Sequence, residues 1–270
     1  NKRERQRNNF QLCSRNCSCS GEINKEMEII TTGKNMKRYS IYEGKYPREI
    51  VLLKSFPCEF KGCAFCDSAH EHTKNEGEIV KVAAEEFSKI TGVYRRLEVL
   101  NSASFFDFPV QVWHMLKDVV EGRGIEELMV EANWNYRKRF KEITSFFNCK
   151  IRIKVGIETF DHKIRKEVLK KDIEFSGPKE VIKYTDSIKL LIGMKGQTQK
   201  SVRHDISIAL SYFDYISVNL VTKNRKTSSK HDKDLIEWFK EEYKDLQIVP
   251  GVEVIQQNID VGVGRQSLFQ

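Results

Sequence analysis

Three cysteines fall within nine residues in "CEFKGCAFC", at Cys58, Cys63 and Cys66. A second dense stretch, "CSRNCSCS", places Cys13, Cys17 and Cys19 within the first twenty residues. Clustered thiols in a reducing compartment bind metal more often than they pair as disulfides, and the odd total of seven cysteines agrees with that. The first set could hold zinc if His70 or His72 closed a tetrahedron around it. Its C-x4-C-x2-C spacing also fits a plant-type iron–sulfur site with Cys149 as fourth ligand. The second set has no nearby histidine or fourth cysteine and no apolar pattern to position it. Its thiols are read as ordinary.

The elements around these residues decide between the metal readings. The hydrophobic fraction is 40%, the mean hydropathy is −0.51, and no apolar run approaches the ~18–20 residues of a membrane span. The expectation is a cytoplasmic protein. Net charge is +8, but residues 1–40 carry nine Lys/Arg against four Asp/Glu and supply +5 of it. The remaining charge is weakly positive with Lys and Glu interleaved, which suits a solvated surface better than a nucleic-acid groove. Residues 1–40 read as a basic, polar arm with little periodicity, and 41–270 as one domain.

From residue 49, strand-length apolar runs alternate with segments of helical period. The strands are "EIVLLKSF", "RLEVLNS", "IEELMVEA", "KIRIKVGIE", "SIKLLIGM" and "YISVNLVT". Between and after them lie "GEIVKVAAEEFSKI", "VQVWHMLKDVVEG", "NYRKRFKEITSFF", "DHKIRKEVLKK", "TQKSVRHDISIALSYF" and "HDKDLIEWFKEEY". Asp107 with Pro109, and Thr198, are helix-start signals. Six βα units in series demand a parallel sheet with right-handed crossovers, and their number suits a partial, open (β/α)6 barrel. A final "VEVIQQNIDVGVG" adds a strand or a lid.

In such a barrel, reactive residues collect at the carboxyl ends of the strands. Cys58, Cys63 and Cys66 follow the first strand. Asn101–Phe105 follow the second, Glu131 and Asn133 the third, Glu158 ends the fourth, Gly193–Gln197 follow the fifth, and Asn219 closes the sixth. Cys149 precedes the fourth strand, at the other end of the barrel, which argues against the ferredoxin reading. A third metal reading remains, in which three thiolates hold a [4Fe–4S] cluster and leave one iron open.

At this point the chain resembles the radical S-adenosylmethionine (SAM) superfamily. That resemblance rests on the cysteine triplet after the first strand, with Phe65 before the last cysteine, and covers residues from about 49 to 222. The usual spacing is C-x3-C-x2-C, and this chain has one residue more in the first gap. The resemblance implies a [4Fe–4S] cluster on Cys58, Cys63 and Cys66 and SAM as cofactor. It implies that Asn101, Ser102 and Ser104 meet the methionyl amino group, Glu158 the ribose, and Arg165 the carboxylate. "LLIGMKGQ" and Asn219 would line the adenine. An electron donor such as flavodoxin or ferredoxin is the general expectation. Related partial barrels often pair through their helices, so a homodimer is one expectation.

Within the superfamily, "VLLKSFPCEFKGCAFCDSAHE" followed by "VLNSASFFD" is most similar to the queuine lyase family, which breaks a C–N bond of the 7-deazaguanine queuine and releases preQ1. On that resemblance, Glu131, Asp67 and Lys54 are candidate catalytic groups, and Asn133, Gln256, Asn258 and Asp260 candidate substrate contacts. A deazaguanine edge presents paired N–H donors that a carboxylate accepts. Blander roles stand beside these: Lys54 can snorkel or pair, Asp67 can cap a helix, and Asn258 with Asp260 can form a turn. His114 and the phenylalanine pairs Phe105–Phe106 and Phe146–Phe147 read as structural. Other readings are a radical SAM reaction on a modified nucleoside or tRNA, and a zinc-bound interaction module.

Overall fold

The computed structural model describes residues 36–60, 62–67, 71–101, 103–224, 226–227, 230–256 and 258–264, and those from Lys37 onward belong to one compact unit. Eight strands form one sheet in sequence order. They are β1 (Tyr39–Tyr42), β2 (Arg48–Leu53), β3 (Arg96–Asn101), β4 (Glu127–Ala132), β5 (Lys150–Glu158), β6 (Ser187–Ile192), β7 (Tyr215–Leu220) and β8 (Val252–Ile255). Strands β2 to β8 are parallel throughout, and β1 pairs antiparallel with β2. The helices are α1 (Glu76–Phe87), α2 (Val110–Gly122), α3 (Phe140–Phe146), α4 (Pro178–Val181), α5 (Gln199–Tyr212) and α6 (Lys233–Glu242). This is the expected partial barrel, with β8 supplied by the C-terminal piece.

Two details of the organisation differ from the sequence reading. Strand β1 begins inside the segment assigned to the N-terminal arm, so ordered structure starts before residue 41. The sheet edges are also tied together. Lys37 pairs with Gly264 in both directions, and Ser40 Oγ donates to the Val261 carbonyl at 2.7 Å. Residues 1–35, with Cys13, Cys17 and Cys19, lie outside the described residues.

Strand alternation explains the core. One set of residues faces the helices and is apolar, including Val51, Leu53, Leu97, Val99, Leu128, Val130, Val155, Ile188, Leu190, Ile216 and Val218. The alternate set faces the concave side and is rich in charge: Arg48, Glu98, Glu127, Glu131, Arg152, Lys154, Lys189 and Glu253. Side-chain contacts between non-adjacent strands show the curl, because β3 reaches β5 and β4 reaches β6 across this face.

Two expected helices take other forms. The "NYRKRFKEITSFF" segment opens as a 3-10 turn over Trp134–Arg139 before α3 begins. The "DHKIRKEVLKK" segment contributes only a five-residue π-helical turn, Ile164–Val168, closed by Leu169 N–H donating to Ile164 O at 3.0 Å. Single π turns are uncommon and cluster at functional sites. Here the wide turn carries Arg165 into the interior.

Candidate active site

The cysteine loop leaves β2 and lands on the far side of the barrel mouth. Ala64 and Phe65 pack on Ile164, Leu169, Leu191, Met194 and Val221, an apolar cluster separate from the main core. Ala64 N–H donates to Leu169 O at 2.8 Å, and Asn224 Nδ2 to Phe65 O at 3.0 Å. Lys226 Nζ donates to Cys63 O at 3.3 Å. The loop is thus fastened to segments that follow β5, β6 and β7.

None of the three thiols of this loop is in a disulfide; Cys63 is buried and Cys58 and Cys66 are half-buried. Burial pushes the Cys63 thiol up to about 11, while the Lys171 ammonium pulls the other way and the neighbouring cysteines add to the rise. Burial also raises Cys58, although the Phe60 N–H donates to its Sγ at 3.3 Å and opposes that shift. Three thiols on one loop, with Cys58 and Cys66 close enough to bear on Cys63, are the donor set of a [4Fe–4S] cluster with one open iron. Among the described residues no three His, Cys, Asp or Glu are gathered as for a single metal ion. His70, one candidate for closing a zinc site, lies outside the described residues. Cys149 sits at the start of β5, opposite the mouth.

Residues suited to SAM border this loop. Asn101 ends β3 and is buried; its Nδ2 donates to Ser104 O at 2.8 Å, while its Oδ1 has no partner. A buried acceptor without a donor fits an ammonium group such as the methionyl amine. Ser104 is also buried, and its backbone N–H donates to Asp107 Oδ2 at 2.8 Å. Its Oγ accepts from Asn133 N–H at 3.2 Å, joining the loops after β3 and β4. Ser102 lies outside the described residues.

Glu158 ends β5 beside a register shift and has a positive φ of 66°. Left-handed backbone is costly for a residue with a side chain, and such strain concentrates at functional sites. Its Oε1 accepts from Lys171 Nζ at 2.7 Å. The side chain folds back over Gly156, where a Cβ would stand 2.5 Å from Glu158 Oε1. The missing side chain at 156 is what gives the carboxylate its place.

Arg165, expected at the SAM carboxylate, is carried inside by the π turn. It is buried, with Nη1 donating to Thr159 O at 2.9 Å and Nε to Ile173 O at 3.3 Å. Its guanidinium lies 3.9 Å from the Phe175 ring centroid. Burial lowers its pKa while Glu174, Asp205 and Asp161 oppose that. It braces the segment that supports the cysteine loop.

Below the mouth, Glu131 is held between two ammonium groups. Lys189 Nζ donates to its Oε2 at 2.6 Å, and Lys154 Nζ stands 3.7 Å from its Oε1. Burial works against the Lys189 charge, but Glu131 and Glu158 more than offset it and raise its pKa. Lys154 also pairs with Glu98, which meets Arg48 Nε at 2.5 Å. Arg48 then reaches Glu253 with two bonds of 2.8 and 3.0 Å, and Tyr215 donates to the same carboxylate. Alternating charges therefore line the barrel from base to mouth. Lys154 and Lys189 did not emerge from the sequence as site residues, although both fall on the same strand face as Arg48 and Glu131.

The remaining candidates sit at the rim. Lys54 pairs with Glu78 at 2.6 Å, on the first turn of α1. That helix is capped by Asn75, so Asp67 does not cap it. Asn133 Oδ1 accepts from Asn135 N–H at 3.2 Å, capping the 3-10 turn. The backbone N–H of exposed Gln256 donates to Asp260 Oδ2 at 2.7 Å, closing the turn after β8; Asn258 lies in that turn. Asn219 is half-buried on the concave face, and its Oδ1 accepts from Ser217 Oγ at 3.3 Å. His114 and Phe105, Phe106, Phe146 and Phe147 pack among aromatic rings.

A barrel open at its carboxyl face, a cysteine triplet over that opening and an acceptor set for a zwitterionic cofactor define a radical SAM enzyme. Solved structures agree on the fold. Methylornithine synthase is 13% identical with a TM-score of 0.55, covering 90% of this chain and 75% of its own. Coproporphyrinogen III oxidase from Escherichia coli is 13% identical with a TM-score of 0.51, covering 74% of this chain and 52% of its own. The queuine lyase from Clostridium spiroforme, solved with SAM and queuine bound, is 38% identical. Its TM-score is 0.81, covering 85% of this chain and 99% of its own. The chain belongs to the queuine lyase family. No family model matches it, and no curated protein matches it.

Proposed function

We propose that this enzyme cleaves queuine at the C–N bond between the aminomethyl group and the cyclopentenediol ring, releasing preQ1. The observation that carries the reading is the 38% identity with the Clostridium spiroforme enzyme over 99% of that chain. A [4Fe–4S] cluster with SAM would supply the 5′-deoxyadenosyl radical that starts such a reaction. Cys58, Cys63 and Cys66 would hold the cluster. Asn101 Oδ1, with the Ser104 backbone beside it, would accept the methionyl ammonium. Glu158, fixed by Lys171, would meet the ribose, and Asn219 the adenine.

Glu131 is the group for the base. Each carboxylate oxygen has lone pairs to spare beyond its lysine, so it can accept the paired N–H donors of a deazaguanine edge. Lys189 and Lys154 fix its position for that task. Asn133, Gln256, Asn258, Asp260, Asp67 and Lys54 surround the mouth, where diol and amine would protrude. The apolar seat under the cysteine loop would help to keep water from the thiols that hold the cluster. We place the enzyme in a reducing cytoplasm, as its thiols require. No described helix is long and apolar enough to cross a membrane.

The test is anaerobic reconstitution of the parent enzyme beside Cys63→Ala, with iron, sulfide, absorption spectrum, 5′-deoxyadenosine and preQ1 measured. The parent should bind about four irons and four sulfides, as the proposed cluster requires, and convert queuine to preQ1; the variant should do neither. A colourless protein with one tightly held zinc would overturn the proposal.

A further inference from the structure

Six exposed lysines crowd the side of the mouth where the cysteine loop lands. Lys170 follows the π turn, Lys195 lies after β6, and Lys223, Lys226, Lys230 and Lys233 follow β7. Among the described residues none of the six joins an ion pair; the exposed acids on the same loops are Glu167, Asp172, Glu174 and Asp234, of which Asp172 and Glu174 are already paired with Lys166. Elsewhere on the surface lysines and glutamates alternate and pair, as in Lys89–Glu86 and Lys240–Glu237.

The loops that carry these lysines form one continuous surface. Lys195 N–H donates to Lys230 O at 2.7 Å, and Met194 bridges to His231. An open cleft of about 740 Å³ runs between Lys195, Lys223 and Lys233. The surface ends on the metal-binding loop itself, where Lys226 meets the Cys63 carbonyl. A small substrate seated at Glu131 gives this outer face no phosphates to bind. What the site needs from outside is one electron, delivered close to the thiols.

We propose that this lysine face is the docking surface for a small acidic one-electron carrier protein. The inference rests on the radical SAM reading of the cysteine site. The carrier is oxidised by one electron, and the centre held by Cys58, Cys63 and Cys66 is reduced by that electron; no bond forms between the proteins. Lysines on the rim steer the carrier by long-range attraction, and its redox group comes to rest beside Cys63.

The experiment compares the reconstituted enzyme with Lys223→Glu/Lys230→Glu/Lys233→Glu, using flavodoxin as the carrier. Binding is measured by titration at low and high salt, and turnover with reduced flavodoxin or with dithionite. The triple variant should bind flavodoxin about 10- to 100-fold more weakly at low salt, with a flatter salt dependence. Flavodoxin-driven 5′-deoxyadenosine formation should fall with it, while dithionite-driven turnover stays at the parent rate. Unchanged flavodoxin affinity overturns the proposal, and so does an equal loss with dithionite, which would place the lysines in the site itself. Selective loss of tRNA binding with flavodoxin unaffected would assign the face to nucleic acid instead. Failure of the parent to cleave queuine with dithionite would sink the substrate reading and leave the flavodoxin titration interpretable.

Discussion

Replacing Glu131 with glutamine removes one charge from the barrel mouth without changing its shape. The carboxylate is fixed by Lys189 at 2.6 Å and Lys154 at 3.7 Å. Each lysine keeps another carboxylate nearby, Glu158 for Lys189 and Glu98 for Lys154, so the variant should fold. Glutamine retains one acceptor and turns the other into a donor, which opposes an N–H of the base edge. One charge-assisted hydrogen bond is worth about 1.5–3 kcal/mol. At about tenfold per 1.4 kcal/mol, queuine should bind roughly 10- to 150-fold more weakly. SAM binding should stay at the parent value, because Glu131 touches none of the residues assigned to SAM. The assay is anaerobic calorimetric titration of queuine into the SAM-loaded enzyme, followed by SAM into the substrate-free enzyme. A queuine affinity within threefold of the parent would refute the role given to Glu131. Equal weakening of both ligands would show a general disturbance of the mouth.

Three other perturbations test the frame around that site. Arg48→Met leaves Glu253 and Glu98 short of a buried partner, a loss of about 3–5 kcal/mol. The melting temperature should drop by roughly 6–20 °C in a protein of this size, and an unchanged value would contradict the buried network. Burial raises the Asp205 carboxyl to about 6, although Thr159 and the Phe160 N–H at 2.7 Å favour its ionised form. A folded pKa above the unfolded 3.8 means that stability falls as pH rises from about 4 to 6 and stays reduced above that. Asp205→Asn keeps the acceptor for Phe160, so it should stabilise by about 1–3 kcal/mol at pH ~7.5 and by almost nothing near pH ~4, read from urea unfolding. Gly156→Ala puts a methyl group where the Glu158 carboxylate lies, and should weaken SAM binding about tenfold at nearly unchanged melting temperature; unaltered SAM affinity would detach Glu158 from the cofactor.

Local signals sufficed where local forces decide. Helix α2 runs from Val110 to Gly122 as its apolar spacing and Pro109 require, and Thr198 caps α5. The six parallel strands from β2 to β7 were legible because their helix-facing residues form unbroken apolar series. Strand β1 was not, since "YSIY" is four residues long and owes its place to pairing with β2. The interior position of Arg165 was not legible for a similar reason. In "DHKIRKEVLKK" it is one charge among several, and only Phe175, Thr159 O and Ile173 O make it an interior residue. The Glu131–Lys189 pair joins residues 58 positions apart, so no window along the chain contains it. Its trace was the recurrence of charges at every second position within strands, which apolar periodicity does not count.

The cysteine motif is contiguous in sequence, yet its support is not. Ala64 and Phe65 rest on Leu169, Leu191, Met194 and Val221, contributed by three other βα connections. A loop rooted at β2 and seated beyond β5 must pass over the mouth, which brings its thiols above the face that holds Glu131. The strained Glu158 and the π turn follow from the same demand, because Leu169 has to present both its side chain and its carbonyl to the loop. Leu169→Ala should therefore act on the metal site before it acts on the fold. Removing a fully buried leucine costs about 2–5 kcal/mol, but this one lies in a small cluster outside the main core. The loss should appear as loosening of residues 62–66. Iron should leave the reconstituted variant at least several-fold faster under a chelator, at a melting temperature close to the parent's. Equal iron retention would mean that the apolar seat does not hold the motif in place, and the loop's path across the mouth would need another cause.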